Sequence, residues 1–507
     1  MPGVSLPKFY IATSIPYVNA PPHIGHALEF VQADVIARYR RLKGDNVFLA
    51  TGTDENSLKN ALSAEKLGMK TEDLCQRNSA LFRDLVDSIN MSYDTFVRTS
   101  LKGDHWKMTQ ILWDACNASG DIYKKKYSGL YCVGCELFYA EGELDGGLCP
   151  EHRTKPERVE EENYFFRLSK YQDRLIAAIE KDEIRIIPSS RKAEVVNFMR
   201  SGLEDFSVSR SVNRAHGWGI PVPGDPSQIL YVWFDALGYY LTAAGIASDR
   251  KAFNEMWPID MHVIGKGIVR FHAIYWPAML MSGGFEVPRS ILVHGYITVE
   301  GEKMSKSIGN VVDPMDVIRK YGTDPVRYYL MKEISTFQDG DFSDRTLKDV
   351  INNELVGNLG NFVNRTLTFI SSKLGGKVEK QKLGDEDMEL VGQITGLVGE
   401  VERMLEAEQL NVALLKILEI SNLGNRYFQN SAPWKLIKED EAKAKKVLFI
   451  CANICRILGI LTYPYMPSSA ERLLGYIHET PSSFEEAKKL SNEFKVEKPE
   501  ILFSRAE

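Results

Sequence analysis

The arrangement of the first fifty residues constrains the fold most tightly. Apolar runs at residues 9–12 and 47–50 flank a stretch in which Leu28, Val31, Val35 and Tyr39 recur at helical spacing before a stop at Gly44. Strand, helix and strand in so short a span make a βαβ unit. Such a unit demands a parallel sheet, with its ligand crevice at the carboxyl ends of the strands. The loop after the first run and the turn after the second should face that crevice. Strand-like runs return at residues 231–234, 261–264 and 290–294, with a helical stretch at 268–280 and a Gly- and Lys-rich loop after His294. Between these halves the texture changes: lysines at 124–126, a cysteine cluster, and a glutamate-rich run at 157–162 read as an insertion of small-domain length. Beyond Arg345 strand signals disappear, and amphipathic windows at 355–370, 390–405, 412–428 and 442–461 predict an all-α bundle. The charged tail after Glu485 fits either a final helix or a frayed end.

Composition excludes several classes. With 44% hydrophobic and 26% charged residues the chain has ample apolar surface to bury, so wholesale disorder is excluded. A formal net charge of −6 excludes a coat of basic residues, which confines any RNA contact to local patches. The most membrane-like stretch, residues 447–463, is interrupted by Asn453 and Arg456 and closed by Pro464, which predicts a buried helix and no membrane partner. The first eight residues lack the features of a secretory signal, so the expected location is cytoplasmic. Of the seven cysteines, Cys75, Cys116, Cys451 and Cys455 read as small buried apolar residues. The other three cluster beside a histidine.

That cluster is the most self-contained chemical signal. Cys132-x-x-Cys135 is followed, after thirteen residues, by Cys149 and then His152. Four sulfur and nitrogen donors in two close pairs satisfy one tetrahedral Zn²⁺ and leave no open position, which predicts a structural metal. Two further motifs suit phosphate chemistry. His23-Ile24-Gly25-His26 opens the first helix, where two imidazoles and a close-approaching glycine backbone meet the positive helix end. Helix capping is the alternative duty for these histidines. Lys303-Met304-Ser305-Lys306-Ser307 sits on a glycine-flanked loop, where ammonium groups can stabilise a pyrophosphate leaving group.

Together these strings match the HIGH and KMSKS signatures, and from residue 9 to 434 the chain resembles the methionyl-tRNA synthetase family of class I aminoacyl-tRNA synthetases. Ser14-Ile15-Pro16-Tyr17, Gly52-Thr53-Asp54-Glu55, Tyr231-Val232-Trp233-Phe234-Asp235-Ala236 and residues 271–279 carry the likeness. The resemblance implies an α/β fold: a Rossmann-type parallel-sheet catalytic domain, split by a zinc-containing connective insertion and followed by an all-α anticodon-binding bundle. The corresponding spans are 1–115, 116–225, 226–290, 291–345 for the KMSKS and stem-contact region, and 346–507. Its methionine site would comprise Ser14, Ile15, Tyr17, Trp233, Ala236, Leu237, Tyr240, Ile268 and His272, with Asp54 on the amino group. Ile268, His272 and Trp276, spaced by four, would line one helix face toward the crevice. ATP, with its Mg²⁺, would meet His23, His26, Glu29, Gly265, Ile297 and Lys306. Asn361, Arg365, Pro433 and Trp434 would read the anticodon of tRNA(Met).

Two departures from the family pattern stand out. Gly267 occupies the place where an aspartate commonly meets the ribose, and Asn56-Ser57 replaces a usual His-Gly. The expected chemistry is in-line attack of the methionine carboxylate on the α-phosphate, with His23, His26, Lys303 and Lys306 stabilising charge. Transfer to the terminal adenosine of tRNA follows. An isoleucine, valine or leucine enzyme would carry a large editing domain, and a cysteine ligase would place zinc in the pocket. A non-catalytic tRNA-binding relative would not need both intact motifs. The lack of a further tRNA-binding module after the bundle predicts a monomer.

Overall fold

A computed structural model describes residues 6–134, 137–139, 141–151, 153–304 and 309–507, the side chains of 137, 138 and 303 excepted. The predicted βαβ unit is present as β1 (Lys8–Thr13), α1 (Ile24–Leu42) and β2 (Asn46–Thr53). Four more strands complete a six-stranded sheet: β3 (Thr95–Arg98), β4 (Arg185–Ile187), β5 (Met261–Gly265) and β6 (Ser290–His294). Their order is β3-β2-β1-β5-β6-β4, and every neighbouring pair is parallel. Connections leave β1 and β5 in opposite directions, so the switch point of the sheet lies between them, where a crevice opens at the carboxyl ends. Both faces are covered, as a parallel sheet requires. Ile11, Leu49, Val263 and Leu292 enter a core shared with α1 and the helices that follow the sheet, whereas Tyr10, Ala50, Ile264 and Val293 enter a second core on the other face.

Three local expectations are corrected. Residues 231–234, strand-like by their aromatic and β-branched content, form the start of a short helix, Val232–Ala236. The strand is the preceding Asp225–Leu230, which pairs with Ser209–Ser211 and ends with its ladder, so context outweighs propensity. The helical stretch at 268–280 is not uniform: Lys266–Ile268 is 3₁₀, residues 269 and 270 are α, Phe271–Tyr275 is π, and the α-helix resumes at Trp276–Gly283. The π turn shifts the helical phase, so Trp276 turns into the core against Tyr240 and Trp257 and does not line the crevice. Strand pairing also persists in the bundle region, where Lys377–Glu379 pairs with Glu493–Lys495. The charged tail is therefore docked, with Phe494 and Phe503 buried.

In the insertion, Ile122–Cys132 and Glu157–Phe166 form a long antiparallel hairpin, on which the lysine and glutamate runs overlap at one pair, Lys126 opposite Glu162. Strand β4, although it belongs to the span 116–225, is the edge of the central sheet. The bundle is built on Asp385–Glu406, Leu410–Ser431 and Glu441–Thr462, with the last helix as deeply buried as its sequence predicts. No helix among the described residues is long and apolar enough to cross a membrane. Helix α1 joins the bundle to the sheet. Its Asp34, 0% exposed, pairs with the equally buried Arg327 of Thr323–Glu333 at 2.7 Å. Arg327 also donates to the carbonyls of Ile89, Pro464 and Tyr465 at 2.8–2.9 Å, tying two further segments to α1.

Candidate functional site

A cavity of about 310 Å³ opens at the switch point. One end is formed by the amino terminus of α1. His23 is its cap residue: His23 Nδ1 accepts the Gly25 N–H at 3.2 Å, and His26 Nδ1 accepts the His23 N–H at 3.1 Å. Capping is thus a real duty of both histidines, and it serves the other one. A ring whose Nδ1 accepts carries its proton on Nε2, so each imidazole presents an N–H donor. The rings stack at 3.8 Å, and burial, then the neighbouring His23, holds the His26 pKa well below the usual histidine range. Neutral donors beside a helix amino terminus suit a polyanion.

Asp54 lines the same cavity, with an aromatic wall. It follows β2, is 2% exposed, and bridges in parallel to Tyr17, with its N–H donating to Pro16 O at 2.9 Å. Adjacent Glu55 is turned away, its carboxylate bound by Arg98 Nε at 2.7 Å and by Thr53 and Ser100. Only one of the two acids therefore faces the cavity. The Asn56-Ser57 departure has a structural account as well: Asn56 donates to Asp235 at 2.6 Å, and the Ser57 hydroxyl caps the helix Leu58–Lys66.

The aromatic part of the cavity is uncharged. Trp233 stacks on Phe271 at 3.7 Å and meets Tyr17 edge-on at 6.4 Å; Ile15, Ala236, Leu237 and Ile268 complete the apolar wall. His272 donates from Nδ1 to Ile268 O at 2.9 Å, so its Nε2 accepts the Tyr240 hydroxyl at 2.7 Å. Burial lowers the His272 pKa to about 4, outweighing the Ile268 hydrogen bond, and raises that of Tyr240, so both are neutral near pH 7. Aromatic walls and neutral polar tips suit a polarisable thioether of methionine size. Sequence reasoning missed Pro16, Asn19, Ala20, Pro21 and Tyr239, which also line the cavity. Tyr239, beside the expected Tyr240, donates to Thr13 O. Glu29 lies behind the wall: Ser14 N and Oγ bind one of its oxygens at 2.9 and 2.6 Å, and His294 the other at 2.9 Å. Gly265 ends β5, and Ile297 packs near Gly25.

Residues 9–159 and 152–367 match the family profile described as tRNA synthetases class I (M), and residues 378–507 match the anticodon binding domain of methionyl tRNA ligase. The methionine–tRNA ligase of Brucella melitensis is 41% identical over 476 residues, 93% of this chain and 92% of that one. That of Mycobacterium tuberculosis is 41% identical over 484 residues, 94% of this chain and 92% of the relative. The chain belongs to the methionine–tRNA ligase family. Among solved structures, Mycobacterium tuberculosis methionyl-tRNA synthetase in complex with methionyl-adenylate aligns with a TM-score of 0.94 at 39% identity, covering 99% of this chain and 100% of that one. The free form of the same enzyme aligns at 0.87 and 36% identity, covering 99% of each. Membership brings the family's reaction: ATP-dependent, AMP-forming activation of methionine as its adenylate, with release of pyrophosphate, and charging of tRNA.

Where the bundle begins, just ahead of the matched anticodon domain, Arg365 lies 5.7 Å from the Trp434 ring and 4.7 Å from that of Phe428, and it donates to Gln429 at 3.0 Å. Pro433 begins the helix Pro433–Glu439 after Ala432 in the left-handed region, and Asn361, exposed, sits a turn before Arg365. Of the motif loop, Lys303 is in the strand Glu302–Lys303, while Lys306 lies outside the described residues. Cys135 and His152 also lie outside them. Their expected partners Cys132 and Cys149, 1% and 0% exposed, share a small buried cluster with Tyr139. Cys149 opens a tight turn, its carbonyl accepting from Arg153 at 2.8 Å. Two enclosed thiols in one cluster fit half of a tetrahedral zinc set.

Proposed function

We propose that the switch-point cavity holds both substrates of methionine activation in line: ATP phosphates at His23 and His26, the methionine amino group on Asp54, and the thioether in the chamber of Tyr17, Trp233, Ala236, Leu237, Tyr240, Ile268 and His272, with Ser14 and Ile15 at its entrance. The observation that carries this is that the paired histidines, a single buried carboxylate and a neutral aromatic wall line one cavity together. In that arrangement the carboxylate of methionine is left facing the phosphate end, where attack on the α-phosphorus forms the mixed anhydride and expels pyrophosphate. His23, His26, Lys303 and Lys306 would offset the growing negative charge, aided by the Mg²⁺ that accompanies ATP. Glu29 would hold Ser14 and His294 in register, with Gly265 and Ile297 bordering the nucleoside.

Asn361, Arg365, Pro433 and Trp434 would read the anticodon of tRNA(Met), initiator included; the Arg365–Trp434 stack offers a surface on which an unstacked base can lie. One Zn²⁺ held by Cys132, Cys135, Cys149 and His152 would fix the tip of the insertion and take no part in the chemistry. The reading also includes a monomeric protein of the cytoplasm, its size checked by sedimentation equilibrium. Amino-acid-dependent exchange of pyrophosphate into ATP tests the central reading. Exchange with methionine and not with isoleucine, leucine, valine or cysteine is expected. Exchange that persists undiminished in Asp54→Ala and His26→Ala variants would overturn the assignment of the cavity.

A further inference from the structure

We propose that the Tyr296 hydroxyl, seated against Gly267, is the group that binds the ribose of ATP. The proposal rests on the placement of ATP at the switch point. Gly265 to Gly267 make the first turn after β5, at the carboxyl edge where a nucleotide meets a parallel sheet. Tyr296 follows β6 directly and reaches back across this turn. A Cβ built on Gly267 would fall 2.0 Å from the Tyr296 hydroxyl oxygen, so a side chain at 267 and this hydroxyl cannot share the space. The missing side chain at 267 and the hydroxyl that fills its place are two halves of one arrangement.

The tyrosine is held there by a built network. Lys266 lies 4.6 Å from its ring, and the Asp339 carboxylate accepts both from Lys266 Nζ, at 2.8 and 2.7 Å, and from the Tyr296 N–H, at 2.9 Å. Gly295 permits that approach, since a Cβ there would sit 2.3 Å from the Gln338 backbone. The next residue, Ile297, packs near Gly25, which ties the segment to the phosphate end of the cavity. Gly267 is exposed and Tyr296 half-buried, so the pair lies at a surface that a nucleotide can reach. A phenolic O–H both donates and accepts, which matches a vicinal diol.

The test is pyrophosphate exchange with ATP, 2′-deoxyATP and 3′-deoxyATP on the wild type and on Tyr296→Phe, Gly267→Ala and the double variant. Removing the hydroxyl should contract the preference for ATP over at least one deoxy analogue by about 10-fold, the scale of one lost hydrogen bond, with the methionine KM unchanged. Gly267→Ala should raise the ATP KM in the wild-type background by displacing the hydroxyl. In the Tyr296→Phe background the nearest remaining ring atom is 3.3 Å from the new methyl, so the same change should be nearly silent. Full discrimination retained by Tyr296→Phe, or equal effects of Gly267→Ala in both backgrounds, overturns the proposal. Absence of methionine-dependent exchange in the wild type would instead defeat the placement of ATP on which it rests.

Discussion

Replacing Arg327 by methionine should weaken the junction between α1 and the bundle more than any exposed ion-pair change in the chain. The guanidinium and its partner Asp34 are both 0% exposed. Burial alone would push the Asp34 carboxyl upward, but Arg327 and Arg38, with the Ser92 hydrogen bonds, hold it below the usual carboxylate range. Methionine fills much of the arginine stem but leaves that carboxylate with one cation, Arg38 at 2.8 Å. It also strips donors from the carbonyls of Ile89, Pro464 and Tyr465. Breaking a buried ion pair from one side costs roughly 3–5 kcal/mol. Three orphaned carbonyls at about 1 kcal/mol each arrive at the same scale. That is a large share of the ~5–15 kcal/mol by which folded proteins are stable. Urea denaturation followed by far-ultraviolet circular dichroism, with hydrogen exchange read over residues 86–92 and 462–466, measures it. A loss below about 1 kcal/mol with unchanged exchange in both segments would refute the reasoning, because it would mean that water or rearrangement satisfies all four acceptors.

Other outcomes follow from the proposed site. Lys306→Ala should slow adenylate formation in single-turnover assays at least ~10-fold while leaving the methionine KM within about twofold, the pattern of a group that acts in the transition state. Trp434→Ala should weaken tRNA charging and spare pyrophosphate exchange; equal loss of both would remove it from the anticodon site. Cys149→Ser, or chelation of zinc, should lower protection of the hairpin tip in hydrogen exchange, and unchanged protection and metal content would count against the zinc set. His272 has a folded pKa of about 4 against an ordinary ~6.5, so the unfolded chain binds the extra proton between those values. Its contribution is therefore full above pH ~6.5 and is lost as pH falls toward 4, by up to about 3 kcal/mol. Urea midpoints should track that fall in the wild type and flatten in His272→Asn.

Much of this was legible in the chain itself, and where it was not the cause is physical. The βαβ unit could be read because apolar runs buried on both faces and a helical repeat are local patterns, and they reappear at β1, α1 and β2, with β2 extending three residues past its expected end. The cavity residues His23, Asp54, Trp233 and His272 came from motif likeness, and the structure brings them to one cavity. The π turn at Phe271–Tyr275 could not be read, since a wider turn leaves the same apolar spacing as an α-helix until the phase slips, as it does by Trp276. Residues 231–234 misled for the opposite reason: aromatic side chains suited to a strand were serving a pocket wall at Trp233 and a buried core at Phe234. The fates of Glu29, clamped by Ser14 and His294, and of Gly267, answered by Tyr296, depend on partners distant in sequence. Such partners leave no mark in local pattern.

The edge position of β4 bears on how such a protein can be rebuilt. Arg185–Ile187 pairs with β6 through Ser290↔Arg185, Ile291↔Ile186 and Leu292↔Ile187, so a segment that looks like a detachable cassette also hems the central sheet. Excising residues 116–225 as a block would bare the flank of β6 and turn it into a template for aggregation. A viable minimal scaffold would instead keep the helix–strand–helix around β4, from Gln172–Glu180 through Ser189–Arg200, and shorten only the hairpin ahead of it. Loss or exchange of the hairpin tip is open to evolution and to engineers, whereas wholesale removal of the span is not.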